Sequence, residues 1–306
     1  MIALPDGATP IDGYATIITG ALGKKTAIRQ TIKLAVPLLG TALAIAPCFK
    51  MRFWNIGAEG QLIFGATCAS FFALYCSNWN HVVLLLVMAV AGIVGGGLWG
   101  LIPAFFKVKF NTNETLFTLM LNYIAMYFVS YLQDGPWRDP AANGFSKIQR
   151  FDANAALDKV AGIQCGWIVA LILVVVVFVY LKFSKSGYEI GVVGVSQDTA
   201  RYAGMNVKKI ILKTMFLSGA ICGLGGMIQA SGSDVTLTMN VAGGVGFTAI
   251  IVAWLSQLNP FVILIVSFLF AVLEKGSSVV QSSFGLSTDC ADVLQGIILF
   301  FILDYI

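Results

Sequence analysis

The sequence predicts an all-α membrane protein: a polytopic helical bundle of about nine membrane segments, one or two of them broken or re-entrant. Three observations carry this reading. The 306 residues are 58% hydrophobic and only 11% charged, against about 25% charged in an average soluble domain. Mean hydropathy is +0.85. The apolar residues gather in windows close to the ~20 residues that a helix needs to cross the hydrocarbon. A chain of this length has room for one or two soluble domains, but its charges are too sparse to cover them. The net charge of +4 is scattered between apolar segments, so it marks topology and no nucleic-acid partner is expected.

Taken in order, residues 1–25 are polar and Gly-rich, without the basic region and apolar stretch of a signal peptide. Spans are expected at 31–50, 57–76, 81–105, 114–132, 165–183, 210–231, 243–258, 260–280 and 291–306. Together they form a single transmembrane domain over 1–306. The segment 57–76 opens in a polar motif. The segment 243–258 is short and follows glycines, as a broken or re-entrant helix would. Irregular backbone at membrane depth is tolerated only where protein or a water-filled cavity satisfies it, so both segments point towards a pathway.

Loop charge sets the orientation. Lys50 with Arg52, Lys107 with Lys109, and Lys182, Lys185, Arg201, Lys208, Lys209 and Lys213 mark three cytoplasmic loops under the positive-inside rule. An even number of crossings separates each pair. The loop 133–164, with mixed charge, falls outside. The amino terminus is then outside and the carboxyl terminus inside. Lys24, Lys25 and Arg29 sit awkwardly outside, and one further helix upstream would relieve this.

Four polar features interrupt the apolar pattern. In Asn55-Ile56-Gly57-Ala58-Glu59-Gly60-Gln61, Glu59 lies at or inside the membrane boundary, where an ionisable group usually faces a cavity or a partner. The alternative is a helix start, with Asn55 as cap and Glu59 complementing the dipole. Asn113 can cap a helix opening at Glu114. Asn122 lies about two turns further in, where its amide needs a partner. In the loop 184–209, Ser196 or Asp198 can cap one short helix that ends at Gly204. This is a docking element or a helix resting on the membrane surface. Last, Ala242-Gly243-Gly244-Val245-Gly246-Phe247 lacks the Lys-Ser/Thr of a phosphate loop and reads as a broken helix, preceded by Asp234.

No catalytic constellation is visible. His81 is the only histidine, and the six cysteines show no C-x-x-C pair. Neither an enzyme nor a metal or cofactor site is expected. A disulfide among Cys76, Cys165 and Cys290 stays open.

The four features in this order resemble the transmembrane permease subunit of bacterial ABC importers for nucleosides and simple sugars, within the branched-chain amino-acid/ribose permease superfamily. The matching blocks are Phe53–Gln61, Asn113–Tyr123, Gly187–Gly204, Gly244–Pro260 and Gln295–Leu299. Departures are Lys185-Ser186 for the usual Arg-Thr, Ser196 for the usual Asn, and the absent first helix.

The resemblance implies a multi-pass subunit of the plasma membrane with cytoplasmic ATP-binding subunits, a second permease that is a paralogue, and an extracytoplasmic substrate-binding lipoprotein. ATP hydrolysis belongs to the partners. It also implies alternating access, with Gly187, Glu189, Ser196, Asp198, Arg201 and Gly204 coupling to the ATPases. Asn55, Glu59, Gln61, Asn113, Glu114 and Asn122 are expected along the substrate pathway, with Phe53, Trp54 and Phe247 as stacking partners. Alternatively, Glu59 and Asn113 fix broken helices. The competing function is an ATPase-independent secondary transporter or channel for a small polar solute. Such proteins couple to ions through intramembrane carboxylates, for which Glu59 and Glu114 are the candidates.

Overall fold

The structure is a computed structural model that describes residues 10–142, 144–284 and 293. The bundle contains α1 (Pro10–Leu22), α2 (Lys25–Lys50), α3 (Ala58–Tyr75), α4 (His81–Phe110), α5 (Glu114–Asp134), α6 (Gly166–Phe183), α7 (Lys185–Val195), α8 (Gln197–Tyr202), α9 (Val207–Ile228), α10 (Val245–Leu255) and α11 (Pro260–Phe284). Among the described residues, six helices are long and apolar enough to span a bilayer: α2, α4, α5, α6, α9 with its extension, and α11. The helices α1 and α10 are shorter apolar helices. Apart from residue 293, the expected span at 291–306 lies outside the described residues, so the fold is described by these six helices and not by a count of nine.

The centre is α2, which is buried continuously from Ala35 to Phe49 and so meets protein on every side. Beside it α3, α4 and α9 pack through small residues. A Cβ added at Gly96 of α4 would run into the Gly219 carbonyl oxygen of α9. One added at Gly223 would run into the Gly92 carbonyl oxygen, and one at Gly65 of α3 into the Gly223 backbone. These glycines are required by close backbone approach, the usual basis of tight helix association in lipid. By contrast α4 and α6 turn aliphatic faces outward: Val90, Val94 and Leu98 on one, Ile172, Val175 and Val176 on the other.

Residues 1–25 were expected as a polar segment, yet Pro10–Leu22 forms a helix. It docks on its neighbours: the Thr31 hydroxyl of α2 donates to the Ala21 carbonyl at 3.0 Å, and Gly20 sits against Val279 of α11. The reason is the apolar content of Ile17, Ile18, Ala21 and Leu22, which charge-based reading underweighted. The helix α9 continues as a π-helical turn, Gln229–Asp234, and ends at Val235 with φ of 52°.

The loop 133–164 forms a small cap. It carries a hairpin of β1 (Lys159–Val160) and β2 (Ile163–Gln164), paired antiparallel with Lys159 opposite Gln164. Backbone bonds tie it to the carboxyl-terminal end of α9, from Phe151 N–H to the Val235 carbonyl at 2.9 Å and from Leu157 N–H to the Ser231 carbonyl at 3.0 Å. The His81 ring bonds Asn154 and Asp158 of this cap.

The three basic turns gather at the opposite end. Met51, Phe53, Ala104, Ile190, Val193, Ala200 and Val207 share one buried apolar cluster there. The loop between α6 and α9 holds two helices where one was expected. Val195 ends α7, and Ser196 turns extended and caps α8 by accepting the Thr199 N–H at 3.2 Å.

Candidate functional site: a buried helix junction and a basic docking face

The polar motif after α2 builds a junction inside the bundle. The chain leaves α2 through Arg52, which adopts φ of 58°, and re-enters the protein at Phe53, which is buried. Here α3 begins at Gly57, whose backbone is ordinary, with φ of −83°. What demands glycine is proximity: a Cβ on Gly57 would meet Thr118, and one on Gly60 would meet Asn122, each at 2.9 Å. Thr118 and Asn122 lie about 6 and 12 Å along α5 from Glu114, so α3 starts at membrane depth.

Every amide at this junction is answered within the protein. The Asn55 side chain accepts the Gly57 N–H at 3.0 Å and donates to Gln61 at 3.3 Å and Ser218 at 3.2 Å. Asn122 accepts the Gly60 N–H at 2.8 Å and donates to the Ile56 carbonyl at 2.9 Å. Asn55, Gln61 and Asn122 are all buried. Bonded burial of this kind is what low-dielectric surroundings require of polar groups.

Glu59 stands at the start of α3, yet it serves a different helix. Its two carboxylate oxygens accept the N–H groups of Gly244 at 2.9 Å and Gly246 at 2.6 Å. These are the first amides of α10, which carry the positive end of that helix's dipole. Gly243 and Gly244 take φ of 60° and 81°, turning the chain so that α10 opens on the carboxylate. Gly246 has no room for a Cβ, because Glu59 lies 2.6–2.7 Å from where it would be. Thus α10, whose 11 residues are too few to cross a bilayer, starts at the same depth as α3.

The remaining expected pathway residues separate. Asn113 caps α5 by accepting the Leu116 N–H at 3.2 Å. Glu114 pairs with Lys107 of α4 at 2.7 Å. Phe53 joins the apolar cluster at the basic end, away from open space. Trp54 is exposed and stacks on Trp254 of α10, with ring centroids 5.5 Å apart, and Phe49 completes the trio. Phe247 is also exposed, on the first turn of α10.

At the basic end, Gly187 is held against the Tyr180 and Leu181 carbonyls. Glu189 lies 3.9 Å from Lys185, and Asp198 pairs with Arg201 at 2.9 Å. Gly204 takes φ of 77° and ends α8. Beyond these expected residues the face offers Val195 and Tyr202, which are 81% and 96% exposed.

At the end opposite the basic turns lies a polar hollow of about 550 Å³ lined by Lys33, Gln229, Ser233, Asp234, Glu274 and Lys275 among others. Apart from Asp234 its charges were overlooked. Charged residues interrupting the apolar runs of α2 and α11 were the available signal.

Residues 27–303 match the family described as branched-chain amino acid transport system / permease component. The chain belongs to this family. The permease is 32% identical to the glucose ABC transporter permease of Haloferax volcanii, over 96% of this chain and 80% of that protein. It is 30% identical to the guanosine ABC transporter permease of Bacillus subtilis, over 99% of this chain and 88% of the relative. Its identity with the nucleoside ABC transporter permease of Lactococcus lactis is 29%, over 99% and 86% of the two chains. Among solved structures, PsaBC from Streptococcus pneumoniae superimposes with a TM-score of 0.52 at 14% identity, covering 94% of each chain, which supports the fold alone. The permease is a transport subunit and not an enzyme, since ATP hydrolysis in such transporters resides in a partner subunit.

Proposed function

We propose that this permease moves nucleosides or simple sugars into the cell by alternating access, driven by ATP-binding subunits docked on α7 and α8. The relatives named for guanosine, nucleoside and glucose transport support the solute class. Nucleosides and sugars present hydroxyls and amides, which suit neutral hydrogen-bonding groups and aromatic faces better than fixed charge. We read the basic end as cytoplasmic and the capped end as facing the substrate-binding lipoprotein, with a paralogous permease as the second half. The carboxyl terminus, expected inside, lies outside the described residues.

One observation carries the coupling. The docking helices and the buried junction are joined by a single run of chain. Ile190 and Val193 of α7 and Ala200 of α8 pack in the same cluster as Met51 and Phe53. Two residues on, Asn55 anchors the junction, and Glu59 grips the start of α10. A shift of α7 and α8 therefore reaches α3 and α10 through rigid, packed contacts, as a two-state transition requires. Asn55, Glu59, Gln61 and Asn122 act here as the frame that moves, while Trp54, backed by Trp254, and Phe247 are the groups open to solute.

Arg201→Glu tests this. It reverses charge on the docking face and sets two carboxylates three residues apart on α8. In the reconstituted importer, uptake should be lost while basal ATP hydrolysis persists without stimulation by the substrate-binding protein. Unchanged uptake and unchanged stimulation would sink the coupling role.

A further inference from the structure

The outer face of α5 is unlike the other exposed faces of the bundle. It presents Met120, Tyr123, Ile124, Tyr127 and Tyr131, all more than half exposed. The three tyrosines recur every four residues and so form one row along the helix.

Depth can be compared directly with α4. The Lys107–Glu114 ion pair, 2.7 Å long, joins the adjoining ends of the two helices and sets an approximate common level. Counting from it at 1.5 Å per residue, Tyr123 and Leu98 lie at about 14 Å, and Tyr127 and Val94 at about 20 Å. The hydrocarbon core is about 30 Å thick. At the same depths α4 therefore exposes Leu98 and Val94 where α5 exposes two phenol groups. A phenol hydroxyl in lipid at mid-depth is left without a partner, which costs several kcal/mol on the order expected for an unbonded hydroxyl. Tyrosine facing lipid belongs in the headgroup belts instead. That position suits Tyr131 alone.

We infer that the exposed face of α5 borders the hydrated path of the solute, and that the Tyr123 and Tyr127 hydroxyls are hydrogen-bonding rungs along it. The inference rests on the importer reading and extends it to residues that interrupt an otherwise lipid-like stripe. The occupant it commits to is a water-filled passage carrying a neutral, hydroxyl-bearing solute with a flat ring. A phenol offers such a solute both a donor and acceptor oxygen and an aromatic face. The row sits on the helix that Asn122 ties to the buried junction, so movement at the junction would move the rungs with it.

The test uses the full importer in membrane vesicles. Tyr123→Cys and Tyr127→Cys are made singly beside Leu98→Cys and Val94→Cys, all in the natural chain. Each is treated with a charged, membrane-impermeant maleimide, and labelling is located by peptide mass spectrometry, so the native cysteines serve as internal references. The expected result is labelling at 123 and 127 at least tenfold faster than at 98 and 94. Separately, Tyr123→Phe and Tyr127→Phe, which keep the ring, should raise the KM for uptake about two- to tenfold, the worth of one hydrogen bond, at unchanged protein level. Labelling at 123 and 127 as slow as at the α4 positions, or Phe variants with the parent KM, overturns the inference. Absence of nucleoside and sugar uptake by the parent importer would instead undo the transport reading and leave the labelling pattern to stand.

Discussion

Glu59 is the position where a single atom's change should separate framework from solute binding. Its carboxylate holds two amides of α10, at 2.9 and 2.6 Å. Glu59→Ala leaves both N–H groups without a partner at depth, at about 1–3 kcal/mol each. It also removes the negative charge at the helix start, which is worth up to about 2 kcal/mol in partly buried geometry. Glu59→Gln keeps one acceptor oxygen but turns an NH₂ towards the second N–H, so the loss is one charge-assisted bond, about 1.5–3 kcal/mol. Against a folding free energy of about 5–15 kcal/mol both are large. The ordering Ala below Gln below parent should appear in thermal unfolding of the detergent-purified protein. Hydrogen exchange should rise locally at Gly244 and Gly246 in both variants, before any change elsewhere. For uptake, Glu59→Gln should lower the maximal rate and leave KM near the parent value, because the carboxylate grips a helix and not the solute. Parent-like unfolding and exchange together with a strongly raised KM would refute this reasoning and put the carboxylate on the solute.

Two further perturbations probe the framework. Gly223→Ala places a methyl against the Gly92 carbonyl and the Gly96 backbone, so α4 and α9 must separate; a loss of about 1–3 kcal/mol from overpacking should appear as reduced protein level and thermal stability, while Gly225→Ala, with no atom within 4 Å of the added Cβ, serves as the tolerated control. Asn122→Ala removes two bonds between α5 and the start of α3 and should cost about 2–4 kcal/mol, since it strands a buried N–H and a carbonyl; a neutral result in thermal unfolding would show that α5 is held by packing alone.

The spans were legible because α2, α4, α5, α6, α9 and α11 are long apolar runs whose length is dictated by the bilayer. The local caps were legible too. Asn113 and Ser196 bond amides within three residues of themselves, and Gly204 adopts the left-handed turn that a helix end favours. What local pattern cannot reveal is a partner distant in sequence. Glu59 reads as complementing the dipole of its own helix, and the chemistry is right, but the helix it complements is α10. Asn122 needs a partner by burial alone, yet only the folded chain shows that Gly60 and Ile56 supply it. Helix α1 was missed because Gly13, Gly20 and Gly23 with flanking lysines weigh against a helix locally, and its docking on α2 and α11 outweighs that preference. Trp254 went unremarked in an apolar run, since nothing in its spacing says that Trp54 would stack on it.

The bond between Glu59 and Gly244 joins residues 185 positions apart. A chain made at about 5–20 residues per second therefore inserts its first helices roughly ten to forty seconds before the amides that receive this carboxylate exist. Throughout that interval Glu59 lacks the two α10 amides that it bonds in the finished bundle. The junction between the starts of α3 and α10 therefore closes only after α10 has been made. Biosynthesis of this subunit thus has a built-in order, in which the last third of the chain closes a structure that the first third can only begin.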